Sequence, residues 1–548
     1  MKASDLLLKC IEAQGSYRIY GVPGEENADV MISLLDSNIE FLTMRHEQTA
    51  AFSAAMEGYL TGQPGVCLST LGPGATNLLT GVAQANMDHM PLIVIIGQAS
   101  THRLHKISHQ NMDSVDMYKS VTKWAVTIRD ADTIPEIVAK AFKRAQEGLP
   151  GAVLIEFPED IAAMEVNAKL SVLPKIAVSD NKEIAEESIS SFIQLLQSAE
   201  KPIVLAGDSA VRQAVDKPLK RFLTTANLYG ASTFMGKGVI SDHYEKSLYT
   251  VGMGMKDIAV KAFDEADLVI CIGYDLVEWA PDRWNPRGDK KIIHINVAPA
   301  EVDSAYLPSL EMIGDIGGIL TQINKQLTQG CTKDDIQSFK AIQKLVKDDL
   351  NQDDNNDSFP SKPKAFLHRL REVLADDDLL FSDVGAHKMW VARQYRAYQS
   401  KTCFISNGFC SMGGSMPSAL AAKQIHPNRR VVALCGDGGF IMSIQALASA
   451  SALKQAITVI IWIDDHYGLI KWKQEMHFNQ YSHIDLHNPN LLQVAEAFGC
   501  YAQVIEAPSM LAEAFERIDK ITDRPSVLLV PIDYSENMKL FEHLKRIV

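Results

Sequence analysis

The 548-residue sequence has no CxxC pair among its eight cysteines, no long basic run, no uninterrupted bilayer-length apolar stretch and no long GxGxxG fingerprint. Each absence removes a class. Cys10, Cys67, Cys271, Cys331, Cys403, Cys410, Cys435 and Cys500 stand apart, several inside apolar runs. They read as buried thiols of a reducing cytoplasm, not as disulfides or a zinc site. Without a span of roughly 20 apolar residues, no membrane helix is expected. A net charge of −14 without a basic patch argues against a nucleic-acid partner. The opening MKASDLLLKCIEAQG has charges inside its apolar pattern and reads as an amphipathic helix, not a signal peptide. What is present is an ordinary globular composition, 47% hydrophobic and 22% charged, in a chain long enough for several domains.

The richest stretch runs from 431 to 468. Residues 431–435 form an apolar run, Gly436-Asp437-Gly438-Gly439 turns the chain, 441–453 has helical periodicity, and 457–463 is a second β-branched run ending at Asp464. This is a β-turn-α-β unit of a parallel sheet. It sets Asp437 and Asp464 just past the carboxyl ends of two strands, where open α/β sheets bind ligands. Glycines admit an anion close to main-chain N–H groups, and two carboxylates beside a phosphate call for a hard cation such as magnesium. For GDGG alone, a plain glycine turn with each aspartate capping a helix or turn serves equally well. The second strand-end aspartate, 27 residues further on, favours the metal.

The first third alternates in the same way. Strands at 17–20, 40–43, 66–69 and 92–96 alternate with helices near 29–35, at 49–60 and at 75–87, the pattern of a doubly wound parallel sheet. Right-handed crossovers bring the Pro23-Gly24 turn, Glu47 and the Gly72-Pro73-Gly74 turn to one sheet edge. A glutamate at such a junction ordinarily complements the helix dipole. In an apolar pocket, which Ala50, Ala51, Phe52 and Ala54 could line, its pKa would rise toward neutrality. The loop 104–113 and the strand start Thr122-Lys123-Trp124 read, residue by residue, as solvated polar segments.

Polar, acidic stretches at 179–187 and 353–358 read as linkers. They divide the chain into domains 1–165, 185–335 and 360–548. The middle one has strand-like runs at 201–207, 268–273 and 291–297 and is Rossmann-like in pattern, which does not by itself fix a function. The tail is an apolar strand at 526–532 and a terminal helix at 534–548.

Taken together, GDGG with Asp464, the GVPG of 21–24, the RHEQ of 45–48 and the LGPGATN of 71–77 resemble the thiamine diphosphate (ThDP)-dependent enzymes in order and approximate spacing. Asp464, where many members have Asn, together with IGYDLVEW at 272–279 and WNP at 284–286, is similar to catabolic acetolactate synthases. The resemblance covers essentially the whole chain and implies an α/β fold of three doubly wound parallel-sheet domains. It implies Mg2+ on Asp437, Asp464 and the main-chain carbonyl of His466. It places the diphosphate among Gly385, His387, Gly436, Gly438, Gly439, His466 and Tyr467, with Met412 under the bent cofactor. The pyrimidine end falls to Pro23, Gly24, Gly72 and Glu47, the last promoting the imino form whose nitrogen takes the thiazolium C2 proton. Gln110 and Lys123 line the active-site channel, and a lysine and an amide suit a 2-oxo acid carboxylate. FAD is not expected in the middle domain.

The implied reaction is decarboxylation of pyruvate and ligation of the two-carbon fragment to a second pyruvate, giving 2-acetolactate and CO2. The resemblance also implies sites shared between subunits of a homodimer or homotetramer, which the thiol reading places in the cytoplasm. The alternative is a ThDP-dependent 2-oxo acid decarboxylase releasing an aldehyde. It is kept open by Lys473, which stands where catabolic enzymes tend to have glutamine, and GVPGEEN also departs from their usual turn. A nicotinamide protein using the middle domain is the remote third reading.

Overall fold

A computed structural model describes residues 1–166, 171–176, 184–252, 258–327, 333–352 and 355–537. Their strands form three six-stranded sheets. The first holds β1 (Arg18–Gly21), β2 (Glu40–Thr43), β3 (Gly65–Ser69), β4 (Leu92–Gln98), β5 (Trp124–Thr127) and β6 (Ala152–Pro158) in the order β2-β1-β3-β4-β6-β5. The second holds β7 (Pro202–Ala206), β8 (Tyr229–Ser232), β9 (Ser247–Thr250), β10 (Leu268–Ile272), β11 (Lys291–Asn296) and β12 (Leu310–Ile313), ordered β12-β11-β10-β7-β8-β9. The third holds β13 (Leu379–Ser382), β14 (Cys403–Ile405), β15 (Val431–Gly436), β16 (Thr458–Ile463), β17 (Tyr501–Val504) and β18 (Ser526–Pro531), ordered β14-β13-β15-β16-β18-β17.

Every pairing among these strands is parallel. The three doubly wound parallel sheets expected of the sequence are therefore present. Numbered from its own first strand, the third sheet repeats the order of the first, with a switch point between β1 and β3 and again between β13 and β15. The middle sheet follows the other doubly wound order, with its switch point between β7 and β10.

The apolar runs explain which strands sit centrally. All seven residues of β4 and of β6 are buried, as is every residue of β3, β7 and β10. Parallel strands covered by helices on both faces need such unbroken runs, and each buried Val, Leu or Ile contributes about 1.5–3 kcal/mol. The strands the sequence does not announce are β8, β9, β12, β14 and β17. They are three or four residues each, too short for a clear pattern, and some, such as YGAS and YAQV, are rich in small or polar residues.

The first and third sheets meet through helices. Glu47–Thr61 lies against Ser415–Ile425, and Ser53 Oγ donates to the Pro417 carbonyl at 2.9 Å. Of the seven described cysteines six are buried and Cys410 is half-buried; Cys331 lies outside the described residues. Among the described residues no helix is long and apolar enough to cross a membrane. The expected linker at 179–187 falls mostly outside the description, and helix Glu186–Ser198 already begins within it. Of the linker at 353–358, residues 353–354 are not described. The expected terminal helix lies outside the description beyond 537, after a short helical turn at Tyr534–Glu536.

Candidate functional site

The carboxyl ends of β13, β15 and β16 open onto a cavity of about 170 Å3. Its lining includes Gly385, His387, Met412, Gly436, Asp437, Gly438, Gly439, Asp464, His466 and Tyr467. Register brings the two aspartates together: Gly436 pairs with Trp462, so Asp437 and Asp464 follow on neighbouring strands. The helix expected from 441 begins at Asp437 and breaks after Met442, resuming at Gln445–Ala452. The GDGG turn is thus a first helical turn. Its glycines are needed for space, not for left-handed backbone. A Cβ on Gly439 would lie 2.4 Å from Asp383 Oδ2, and one on Gly438 3.1 Å from the Tyr467 ring.

Asp437 is 1% exposed and fully engaged. It accepts from the N–H of Gly438 and of Asp465, both at 2.9 Å, and from Asn488 Nδ2 at 2.8 Å. Burial raises its pKa against these donors. Asp464 is half-buried; burial first and the Asp437 charge second push its pKa up to about 7, with Lys471 acting the other way. Two carboxylates so placed repel unless a cation lies between them. Among the described residues no cluster of three His, Cys, Asp or Glu side chains could hold a metal. A cation here would therefore use the two carboxylates and a main-chain oxygen. The His466 imidazole is turned elsewhere, its Nε2 3.2 Å from both Asp485 Oδ1 and Lys471 Nζ. That agrees with the carbonyl, not the ring, as the candidate ligand.

His387 supplies the test for an anionic group. The ring is 3% exposed and held neutral, burial pushing its pKa down to about 3. Its buried Nε2 has no partner. A Cβ on Gly385 would lie 2.6 Å from the ring and one on Gly436 3.4 Å. The imidazole nitrogen between these two bare glycines would donate to a phosphate oxygen once protonated, and the anion would raise the His387 pKa to favour that form. The donor set fits a metal–diphosphate.

Sequence reasoning missed several residues here. Asp383, pushed to about 6 by burial against three main-chain N–H groups, takes the Gly413 N–H at 2.9 Å and fixes the turn beside Met412. Asn488 braces Asp437 from 51 residues away, and Tyr534 closes the cavity. Asp383 had a strand-end position as a signal; Asn488 had none. From the helix Gly468–Phe478 the wall takes Gly468, Leu469 and Ile470, whereas Lys473 is exposed and off the cavity.

The other predicted residues gather at the first sheet's switch point. The Gly24 turn presses on Thr70, whose Cβ would be 2.4 Å from a Cβ on Gly24, with exposed Pro23 beside it. Gly72 is left-handed at φ 54°, and Gln110 rests on it at 2.9 Å from an added Cβ. Glu47 opens its helix, capped by His46 Nδ1 accepting from Gln48 N–H, and takes Asn77 Nδ2 at 3.0 Å. Glu47 stays half-buried in the single chain. The expected apolar pocket is not built from Ala50, Ala51, Phe52 and Ala54. Ala51 and Phe52 pack on Gly81, and Ala54 packs on Gly65. Within one chain, Pro23, Gly24, Glu47, Gly72 and Gln110 do not line the Asp437 cavity.

Lys123 requires correction. It precedes β5, at the amino end of the sheet, opposite the switch-point turns. Its ammonium donates to the carbonyls of Glu147 and Leu149 at 2.6 and 2.8 Å, finishing the end of helix Ile134–Gln146. It is a structural lysine, not a channel residue.

The middle sheet's switch point is filled by the chain itself. Glu278, 1% exposed, accepts from the N–H of Asp208 at 3.0 and 3.1 Å and of Asp275 at 3.0 Å, and from the Thr233 hydroxyl. Its Oε1 lies 2.6 Å from where a Cβ on Gly207 would be. A carboxylate thus sits where a dinucleotide phosphate is placed in folds of this order.

The chain matches three family descriptions: Thiamine pyrophosphate enzyme, N-terminal TPP binding domain, at residues 1–117; its central domain, at 189–323; and its C-terminal TPP binding domain, at 383–530. It is 32% identical to the acetolactate synthase of Bacillus subtilis, over 98% of this chain and 94% of that one. It is 32% identical to the catabolic acetolactate synthase of Raoultella terrigena, over 99% and 97%. A probable acetolactate synthase large subunit of Methanocaldococcus jannaschii is 30% identical, over 98% and 93%.

Proposed function

Because the chain belongs to the thiamine diphosphate-dependent enzymes, in their acetolactate synthase branch, we propose that it decarboxylates one pyruvate and joins the two-carbon fragment to a second, giving 2-acetolactate and CO2. The observation that carries this reading is the convergence of Asp437, Asp464 and the unpartnered His387 nitrogen in one glycine-walled cavity. Asp437, Asp464 and the His466 carbonyl hold Mg2+, whose charge replaces the repulsion between the carboxylates. His387 and Gly385 bind diphosphate oxygens, Gly436, Gly438, Gly439 and Tyr467 shape the cradle, and Met412 supports the rings from its wall. Bound thiamine diphosphate supplies a nucleophilic carbon and an electron sink for loss of CO2.

Glu47 holds and passes a proton at the aminopyrimidine ring, between Pro23-Gly24 and Gly72. Gln110, packed on Gly72, is placed to donate to a 2-oxo acid carboxylate. The separation of the two half-sites within one chain supports a homodimer or homotetramer that joins the first domain of one subunit to the third domain of another. Activity from a strict monomer by light scattering would refute that arrangement. The Glu278 carboxylate in the middle crevice supports the absence of a flavin, which is checked by the visible spectrum of the purified protein.

The deciding experiment is product analysis with pyruvate, thiamine diphosphate and Mg2+ and no added FAD. Acetolactate, detected as acetoin after acid treatment, is expected. Acetaldehyde as the sole product would make the enzyme a decarboxylase instead.

A further inference from the structure

A larger cavity, about 850 Å3, lies apart from both half-sites, between the middle domain and the third. Its walls are the start of helix Asp216–Ala226, the connection 238–245 and the segment 398–401. The volume is in the range of small-molecule pockets. Three lysines face it: Lys217 and Lys220, both exposed, and half-buried Lys401. Among the described residues none of the three forms a hydrogen bond or a salt bridge. Burial lowers the Lys401 pKa despite the nearby charges of Asp208 and Asp216, so its ammonium lacks solvation that a bound anion would restore. Two acids also line the cavity. Burial raises the Asp216 pKa, with the Lys401 charge acting the other way; Glu245 is exposed, and among the described residues its carboxylate forms no salt bridge.

Part of the lining is aromatic. His243 and Tyr398 stack face to face, centroids 3.7 Å apart and planes 9° from parallel. The walls are rigid here. A Cβ on Gly238 would meet the Gln399 carbonyl at 2.3 Å, and Asp242 is clamped to Ala397 by two bonds, its N–H donating at 3.0 Å and its carboxylate accepting at 2.8 Å. A preformed cavity offering unpaired cations, a flat aromatic wall and one free carboxylate has the chemistry of a nucleotide: phosphates, base and ribose hydroxyls, respectively.

We propose that this cavity is a second ligand site that takes a nucleoside phosphate, its phosphates held by Lys217, Lys220 and Lys401 and its base against the His243–Tyr398 stack. The site is distinct from the switch-point crevice that Glu278 fills. Its wall 398–401 joins the helix Ala386–Gln394, which begins at the Gly385–His387 turn, to β14, which leads on to Cys410 and Met412.

The test is calorimetric titration of ADP into the full-length protein saturated with thiamine diphosphate and Mg2+, so that the cofactor cavity is closed to the probe. One saturable site per chain is expected. Lys217→Glu, on the exposed rim, and Lys401→Ala should each weaken it about tenfold or more while pyruvate turnover stays at the wild-type level. Inorganic diphosphate should bind at least about tenfold more weakly than ADP, lacking a base to stack. No saturable heat at millimolar ADP, ADP binding unchanged in Lys217→Glu, or equal affinity for diphosphate and ADP would each overturn the proposal. Lys217→Glu keeps the test valid should Lys401→Ala fail to fold.

Discussion

Replacing Asp464 by asparagine should stabilise the cofactor-free protein, and replacing it by alanine should cripple the holoenzyme. Folding lifts the Asp464 pKa from an ordinary 3.8 to about 7, by burial and then by the Asp437 charge. At about 1.4 kcal/mol per unit, an ionised Asp464 costs the cation-free chain roughly 4 kcal/mol. Its proton is bound more tightly folded than unfolded. Stability from this group is therefore full below about pH 4, is lost as pH rises toward 7, and is flat above. Asp464→Asn removes the charge and keeps the shape. The amide must still be buried, so a net gain of about 1–3 kcal/mol is expected at pH 8, or roughly 2–4 °C per kcal/mol in the third domain.

His387, held near 3, acts in the opposite sense, its contribution being lost as pH falls below about 6.5. The difference between variant and wild type cancels it. Asparagine keeps a side-chain oxygen facing the candidate cation site, as in the many family members with Asn there, so loss of the ligand is read in Asp464→Ala, where Mg2+-dependent thiamine diphosphate affinity should fall about 100-fold or more, and with it the rise in melting temperature on adding cofactor. Calorimetric melts at pH 5 and pH 8, with chelator and with cofactor, read both effects. A chelated Asp464→Asn that melts below wild type at pH 8, or an Asp464→Ala with wild-type cofactor affinity, would refute the reasoning.

Other substitutions probe separate parts of the site. Glu47→Gln should still bind the cofactor but slow deuterium exchange at its C2 position, read by NMR, by about a hundredfold or more; unchanged exchange removes Glu47 from the chemistry. In Gly439→Ala the new methyl meets the Asp383 carboxylate, at a cost of about 1–3 kcal/mol in a denaturant melt together with weaker cofactor binding; a wild-type curve contradicts the close approach. Lys123→Ala should lower stability by about 1 kcal/mol through its two carbonyl partners and leave kcat/KM within about twofold. A large loss of turnover at unchanged stability would restore Lys123 to the active site.

The strand-end aspartates, the glycine turns and the long apolar strands were legible because they follow from local rules. A buried parallel strand needs an unbroken apolar run, and a turn at its end needs small residues. Those rules, with the motif resemblance, delivered the three parallel sheets and the residues that line the Asp437 cavity. They could not say why Gly438 and Gly439 are glycines, because the reason is Asp383 and Tyr467, brought close only by folding. They offered no hint of Asn488 under Asp437, and the motif resemblance misplaced Lys123, although a residue just before a strand of a parallel sheet lies at the amino end, away from the switch-point turns.

By itself the sequence determined the fold class, the cofactor family and the two carboxylates that ask for a cation. Tertiary structure decided the rest. It put Glu278 in the middle crevice, left Glu47 and its neighbours apart from the Asp437 cavity within one chain, and set three lysines around a cavity between domains. Each depends on groups far apart in the chain, whose burial, pairing and pKa exist only when the strands are in register.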